Sequence, residues 1–250
     1  MALSFALIPL AGEVRISVPE MQRDLITTWA GTPAPTGIAR EKGILTFQMG
    51  KAFVAIALMP ASMVSKDAAG RLKRSWLWPN VEQDLQKHQQ HFAVTLESEL
   101  GPRERAILLT KVCASVLAHC GAAMGVMYGE AGVLAKKEVF RDMAAESLRT
   151  SLPTELWIDC VVAKDGEQKS QGYTKGLAAL GHPELEAKGI PEPPQRLHKR
   201  LVGVARYLVE NGPIIQEGDA IGESAGEHIR VAFGESQFGN RGAVMRIVYG

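Results

Sequence analysis

Short runs of apolar residues at strand spacing are the clearest pattern in this chain. The runs from Ile44 to Met49 and from Ala52 to Leu58 are separated only by Gly50-Lys51, which predicts a β-hairpin. The second run hardly alternates with polar residues, which is typical of a central strand covered on both faces. Alternation over residues 229–233 and 245–249 predicts two more strands.

Helical spacing predicts single helices between these strands. The run from Arg103 to His119 confines its polar residues to one narrow stripe, so this helix should be largely buried. Residues 136–148 and the stretch that begins at Pro193 form amphipathic patterns. The segment Ser17-Val-Pro-Glu20 has the form of a capping box ahead of a further helix.

Strands in pairs with single helices between them predict an α+β fold. We expect a mostly antiparallel sheet built from hairpins, with the helices packed on it, in one compact domain or two closely packed halves. Residues 1–250 are interpreted as a single domain. A basic and polar stretch within residues 61–79 predicts an exposed, mobile excursion.

Composition narrows the classes of function. The chain has 250 residues, of which 46% are hydrophobic and 22% charged, and these are ordinary values for a soluble globular protein. A net charge of +1 gives no indication of nucleic-acid binding. No stretch approaches the roughly 18 apolar residues of a membrane span. The segment MALSFALIPLAG lacks a basic start and contains Pro9, so it predicts a first strand and not a signal peptide.

The three cysteines, Cys113, Cys120 and Cys160, lie in apolar segments without metal-binding spacing. An odd number of buried thiols fits a reducing cytoplasm better than a disulfide framework, so a cytoplasmic protein is expected. A nucleophilic cysteine needs partial exposure and an electropositive neighbour, and core packing is therefore the favoured interpretation.

The stretch from Leu156 to Glu186 is the most informative part of the sequence. Residues 156–162 alternate as a strand, and the Asp-Gly pair at 165–166 is typical of a tight hairpin turn. The return strand should run to about Thr174. Glycines at 176 and 181 then break the chain into a compact loop that ends in Glu184-Leu-Glu186.

Two interpretations of this loop remain open. His182, Glu184 and Asp159 form the one cluster that is suited to acid–base chemistry, at the end of a strand. However, the chain has no phosphate-binding, dinucleotide-binding or HExxH motif. The favoured interpretation is that Thr174 and the glutamates hydrogen-bond backbone groups. Gly176, Gly181, Glu184 and Glu186 would then fix the shape of the loop.

His88 and His91 frame the tetrapeptide HQQH, which on a helix could place two imidazoles on one face. The pair falls where a short helix gives way to a strand, and the sequence indicates no third ligand. We therefore expect neither a metal site nor a cofactor.

Aromatic residues are the candidate partner contacts. Trp76 and Trp78 lie two residues apart in the basic excursion, and tryptophans in such a setting are enriched at protein interfaces. Trp157, Tyr173 and Thr174 are further candidates near the loop that ends in Glu184-Leu-Glu186. The alternative is that both tryptophans of the excursion pack over the sheet.

Several segments resemble a bacterial family known as domain of unknown function 4261. They are Trp76-Leu-Trp78, HQQHFAV, LWID, YTKGLAALGHPELE and GVARYLVENGPIIQEGDAIGE, so the resemblance extends from about Ile44 onward. That family implies no activity. The T-x-G loop, the E-L segment and the ARYL run also resemble the suppressor-of-fused-like superfamily. That resemblance implies a binding protein, often an immunity protein that neutralises a toxin.

The sequence thus predicts a non-enzymatic intracellular protein-binding module, and the second resemblance implies an immunity or toxin-neutralising protein of a bacterial effector system. The expected partner is a protein, which the second resemblance would make a cognate toxin, and neither nucleic acid nor membrane. The alternative is an enzyme of unknown substrate that uses the acid–base cluster around His182. Self-association into a homo-oligomer is a third hypothesis.

Overall fold

The computed structural model describes residues 1–63, 75–221 and 228–249. Its contacts divide the chain into two compact units, residues 1–156 and 157–250. Each unit contains one mostly antiparallel sheet, so the predicted α+β fold is confirmed. The single domain over residues 1–250 stays a prediction. Most of the predicted excursion, residues 64–74, lies outside the described residues.

Six α-helices and twelve strands occur in the described ranges. The helices are α1 Val18–Thr27, α2 Val81–Leu85, α3 Pro102–His119, α4 Lys137–Thr150, α5 Thr154–Trp157 and α6 Pro194–Asn211. The strands are β1 Ala2–Leu10, β2 Thr36–Glu41, β3 Ile44–Met49, β4 Ala52–Met59, β5 Gln90–Ser98, β6 Gly125–Tyr128, β7 Val133–Lys136, β8 Asp159–Lys164, β9 Ser170–Lys175, β10 Leu185–Ile190, β11 Ile229–Gly234 and β12 Val244–Tyr249. None of these helices combines the length and the apolarity that crossing a membrane requires.

The first unit is built on a seven-stranded sheet in the order β2-β3-β4-β5-β1-β6-β7. The predicted hairpin of β3 and β4 is present, and β4 lies inside the sheet. Helix α3 packs on β1 and β5, and Val112, Val116 and Leu117 on it are completely buried. The prediction of a capping box at Ser17 is wrong. Ser17 directly precedes α1, but its side chain makes no capping hydrogen bond.

The second unit is built on a five-stranded sheet in the order β11-β12-β10-β9-β8. Helix α6 packs on β8, β9 and β10. The approach is close at Gly172 of β9, where a Cβ atom would lie 3.0 Å from Leu201 Cδ1 and 2.7 Å from the carbonyl oxygen of Val161. A glycine is therefore required at this position.

Two details of the hairpin that the sequence predicts between residue 156 and Thr174 are wrong. The first detail is the strand predicted over residues 156–162. Residues 156 and 157 belong to the helical turn α5, and β8 begins only at Asp159. The alternating apolar residues are therefore divided between two elements. The loop between β8 and β9 has five residues, 165–169, instead of two. Its ends are joined by a 2.8 Å hydrogen bond from the Asp165 N–H to the Lys169 carbonyl.

Candidate functional site

The loop between β9 and β10 is held by the buried carboxylate of Glu184. Its Oε2 accepts a 2.7 Å hydrogen bond from the hydroxyl of Thr174, and Oε1 accepts from the N–H groups of Gly176 at 2.8 Å and Ala178 at 3.0 Å. The Thr174 hydroxyl in turn accepts from the N–H of Leu185, the first residue of β10. Glu184 is only 6% exposed, so the carboxylate is used as an internal acceptor for its own loop.

Glycines permit the backbone path of this loop. Gly176 has a φ of +115° and Gly181 has a φ of +87°, and residues that carry a Cβ rarely adopt such backbone conformations. Gly181 ends a single 3₁₀ turn over Ala178–Leu180. The sequence Thr-x-Gly followed by Gly-x-x-Glu therefore encodes a compact loop whose two turns are tied to one carboxylate.

A second buried glutamate holds a second loop. Glu186 of β10 is 1% exposed and accepts hydrogen bonds from the Ser236 hydroxyl, the N–H of Gln237 at 2.7 Å and the side-chain amide of Asn240 at 3.0 Å. The Ser236 hydroxyl also accepts from the N–H groups of Phe238 at 3.1 Å and Asn240 at 2.8 Å. The connection between β11 and β12 is thus fixed against a strand about 50 residues earlier in the chain.

The two loops meet at an aromatic pair. Tyr173 lies beside Glu186 in the β9–β10 register and stacks on Phe238 with 5.1 Å between ring centroids. The Nζ of Lys175 lies 5.7 Å from the centroid of the Tyr173 ring, within cation–π range. Tyr173, Lys175 and Phe238 form what is called below the Tyr173 surface. It lies on the sheet face opposite to α6, because its neighbour Gly172 points at the helix.

The three residues of the acid–base hypothesis have different environments. Glu184 is committed to its own loop, as described above. Asp159 opens β8 and pairs with Lys175 in the β8–β9 register. The Nδ1 atom of His182 is buried and has no hydrogen-bond partner among the described residues, and burial lowers the pKa of the imidazole. In the enzyme hypothesis, His182 would therefore have to act as the acid or base without the Glu184 carboxylate.

A pH-dependent stability follows from the environment of His182. Its folded pKa is lowered below the usual value of 6.5, so the unfolded chain binds the proton more readily. We expect the free energy of unfolding to be greatest above pH 6.5 and to fall as the pH drops below that value. His182→Gln should flatten this part of the profile, measured by urea unfolding between pH 5 and pH 8.

The matched control for that profile is His228→Gln, which removes an exposed imidazole from the same unit. The control should keep the slope of the original protein. If His182→Gln also keeps the slope, burial of His182 does not govern the pH dependence.

His88 and His91 bind backbone groups of the segment 61–63. His88 is 5% exposed, and its Nε2 accepts from the N–H of Met63 at 3.1 Å, while its Nδ1 faces the Leu85 carbonyl. The His91 Nδ1 lies 2.8 Å from the carbonyl of Ala61. These contacts occupy both ring nitrogens of His88 and the Nδ1 of His91, so a metal would have to displace them. Across residues 1–63, 75–221 and 228–249 no group of three or more His, Cys, Asp or Glu is placed to hold a metal ion.

The cysteines lie in the environments of core residues. Cys113 and Cys120 are buried, Cys160 is half-buried, and none of the three forms a disulfide. Burial raises the pKa of both Cys113 and Cys120, which disfavours the reactive thiolate.

The aromatic partner candidates separate into buried and exposed residues. Trp76 is 64% exposed, whereas Trp78 is 1% exposed, packs with Val81 and Leu85, and donates its indole N–H to Asp84 at 2.8 Å. In the first unit, only Trp76 of this pair is therefore available to a partner.

In the second unit, Trp157 is 2% exposed and Thr174 is completely buried, so neither side chain is accessible. Tyr173 is half-buried and presents part of its ring. Of the predicted partner contacts, Trp76 and Tyr173 thus remain candidates on geometric grounds.

Sequence reasoning missed Ser236, Phe238 and Asn240. The available signal was the segment Ser-Gln-Phe-Gly-Asn, since serine followed by Gly-Asn is typical of a tight turn with a side chain that hydrogen-bonds its own backbone. That signal predicts a turn. It does not reveal that Glu186 closes it.

Comparison with known proteins supports part of the expected resemblance. The family described as domain of unknown function (DUF4261) matches residues 173–248, which is less than a third of the chain and contains both loops of the site. Neither a curated protein nor a solved structure matches the chain. Nothing in the comparisons supports the resemblance to the suppressor-of-fused-like superfamily.

Proposed function

We propose that this protein is a non-enzymatic protein-binding module and that the Tyr173 surface is its contact region in the second unit. The observation that carries the proposal is the use of Glu184 and Glu186. Both carboxylates lie within the stretch that matches the family, and both accept hydrogen bonds from loops of the same unit. Carboxylates used in this way shape a surface and are not free for proton transfer.

Rigid loops favour binding because less conformational freedom is lost on association. The Glu186 hydrogen bonds fix the residues on both sides of Phe238, and the Glu184 hydrogen bonds fix the residues that follow Tyr173. The surface is therefore preorganised.

The composition of the Tyr173 surface also suits a protein partner. Tyrosine and phenylalanine are enriched in protein interfaces and among the residues that dominate binding energy. Gln237 is exposed beside the stacked rings and supplies polar groups at the rim. Trp76 is a separate candidate contact in the first unit, to be tested by itself.

The finer form of the proposal is that the partner is a toxin, which the protein neutralises inside a bacterial cell. This form rests on the sequence resemblance to immunity proteins. Affinity capture of the tagged protein from its source lysate, followed by mass spectrometry, would identify a stoichiometric companion and show whether it is a toxin.

The Tyr173 surface is tested by Tyr173→Ala and Phe238→Ala. We expect each to weaken partner binding by about fivefold or more, because truncation of a central aromatic contact typically costs over about 1 kcal/mol. Binding to the captured partner would be measured by calorimetry, and far-UV circular dichroism would verify the fold.

Phe53→Ala is the matched control, since Phe53 is 41% exposed and lies in the first unit. Trp76→Ala forms a separate arm and reports on the first unit alone. Unchanged affinity in both Tyr173→Ala and Phe238→Ala would remove this surface from the proposal.

A further inference from the structure

A second feature of the second unit is a groove of about 470 Å³ between α6 and the segment 214–221. Gly203, Val204 and Tyr207 of α6 form one side of it. This volume lies within the range typical of small-molecule sites. The groove shares no residue with the Tyr173 surface.

The floor of the groove is open because α6 carries a glycine there. A Cβ atom at Gly203 would meet no atom within 4 Å, so close packing does not explain this glycine. Glycine inside a helix costs about 1 kcal/mol relative to alanine. Gly203 and Tyr207 are four residues apart and share a face of the helix. The glycine therefore keeps free volume beside the tyrosine at a cost to the helix.

The opposite wall is held by backbone hydrogen bonds to the outer edge of β11. The N–H of Gly218 donates to the carbonyl of Val231 at 2.8 Å, and the N–H of Ile221 donates to the carbonyl of Ile229 at 3.0 Å. The N–H of Val231 donates to the carbonyl of Asp219 at 3.0 Å. The wall is thus formed before any ligand arrives.

The side chains of the groove combine aliphatic walls with one carboxylate. The groove is also lined by the aliphatic residues Ile214, Ile215, Ala220 and Ile221, and Asp219 is the charged residue among those that line it. One oxygen of Asp219 accepts from the N–H of Gln216 at 2.8 Å, which orients the carboxylate. Apolar walls beside a single negative charge complement an aliphatic chain that ends in a cation.

We propose that this groove binds a small aliphatic amine, with the ammonium group on Asp219 and the carbon chain across Gly203. The tail lies between Tyr207 of α6 and Ile214 on the opposite wall. This assignment goes beyond the proposed binding of a protein partner and does not depend on it.

The test uses three probes that share a six-carbon chain: hexylammonium, hexanol and hexanoate. Isoleucine δ1 methyl groups labelled with carbon-13 report binding by NMR, because Ile214, Ile215 and Ile221 line the groove. We expect these three methyl signals to shift while those of Ile8 and Ile56 in the core of the first unit stay in place. Hexylammonium should bind about fivefold more tightly than hexanoate, the size expected for one exposed charge pair.

Two variants separate the contributions. Gly203→Leu fills the floor and should abolish the methyl shifts, while its thermal unfolding temperature stays equal or rises because leucine favours the helix. Asp219→Asn keeps an acceptor for the Gln216 N–H and should reduce the preference for hexylammonium over hexanoate to less than twofold. Neither variant alters a residue of the Tyr173 surface.

Three results would overturn the assignment. They are equal affinity for the three probes, binding that survives Gly203→Leu, and methyl shifts that depend on protein concentration without any amine. The last result would mean that a second copy of the chain occupies the groove. Partner binding through Tyr173 is measured separately, so the failure of one proposal is distinguishable from the failure of the other.

Discussion

Glu184→Ala is expected to lower the free energy of unfolding of the second unit by about 3–5 kcal/mol. The truncation leaves the buried Thr174 hydroxyl and Gly176 N–H, and the partly buried N–H of Ala178, without their acceptor. Each unsatisfied buried group costs roughly 1–3 kcal/mol. Urea unfolding measures the loss. Amide hydrogen exchange locates it, since the N–H groups of Gly176 and Ala178 should exchange much faster than those of α6.

Glu184→Gln provides a graded comparison, because the amide keeps one acceptor oxygen and the side-chain volume. We expect it to lose less stability than Glu184→Ala. Glu235→Ala, which removes an exposed carboxylate near the second loop, should change the free energy of unfolding by less than about 0.5 kcal/mol. Equal effects of Glu184→Ala and Glu235→Ala would mean that the loop does not depend on the buried carboxylate.

The second large effect is expected at a buried ion pair. Arg200 of α6 is 4% exposed and donates from Nη2 to Oε1 of Glu192 at 2.7 Å, and Glu192 is 6% exposed. Arg200→Met leaves the Glu192 carboxylate buried, with the exposed Arg196 as an ionic contact at 3.4 Å. Removal of one member of a buried pair typically costs about 3–5 kcal/mol. Urea unfolding of the single variant is the measurement.

The double variant Glu192→Met/Arg200→Met tests whether the charge pair causes that loss. Because no uncompensated buried charge remains, it should be more stable than Arg200→Met alone. Glu192→Met is measured alone as well, and if its loss and that of Arg200→Met simply add in the double variant, the two side chains are not coupled. The destabilisation would then come from lost packing, including the contact of the guanidinium with the Tyr249 ring at 5.9 Å.

The parts of the fold that sequence predicted correctly are those that local patterns determine. The hairpin of β3 and β4 needs only alternation and a turn, and α3 and α6 carry long apolar stripes. Strand β2 was missed because nearly all of its residues are exposed, so it shows no alternation. Strand β10 was missed because its buried glutamate resembles a loop residue in the sequence.

The candidate site shows the same division between local and distant interactions. Thr174, Gly176 and Glu184 lie within a stretch of eleven residues, so their roles in forming the loop could be inferred from their spacing. The partners of Glu186 lie 50 to 54 residues later, at Ser236 and Asn240. A hydrogen bond over that distance leaves no periodic mark on a single sequence, so it becomes visible only in three dimensions.

The pairing of β10 with β12 also affects how the second unit acquires its structure. These two strands run parallel, although about 60 residues separate them, and β12 lies between β10 and β11. Strand β11 therefore joins the sheet only through a strand that the ribosome makes later. Distant parallel pairing closes a long loop and is slow. Until β12 has been synthesised and has paired with β10, the edge of β10 is open to pairing with other chains. Slow translation of residues 244–249 should therefore favour aggregation during synthesis.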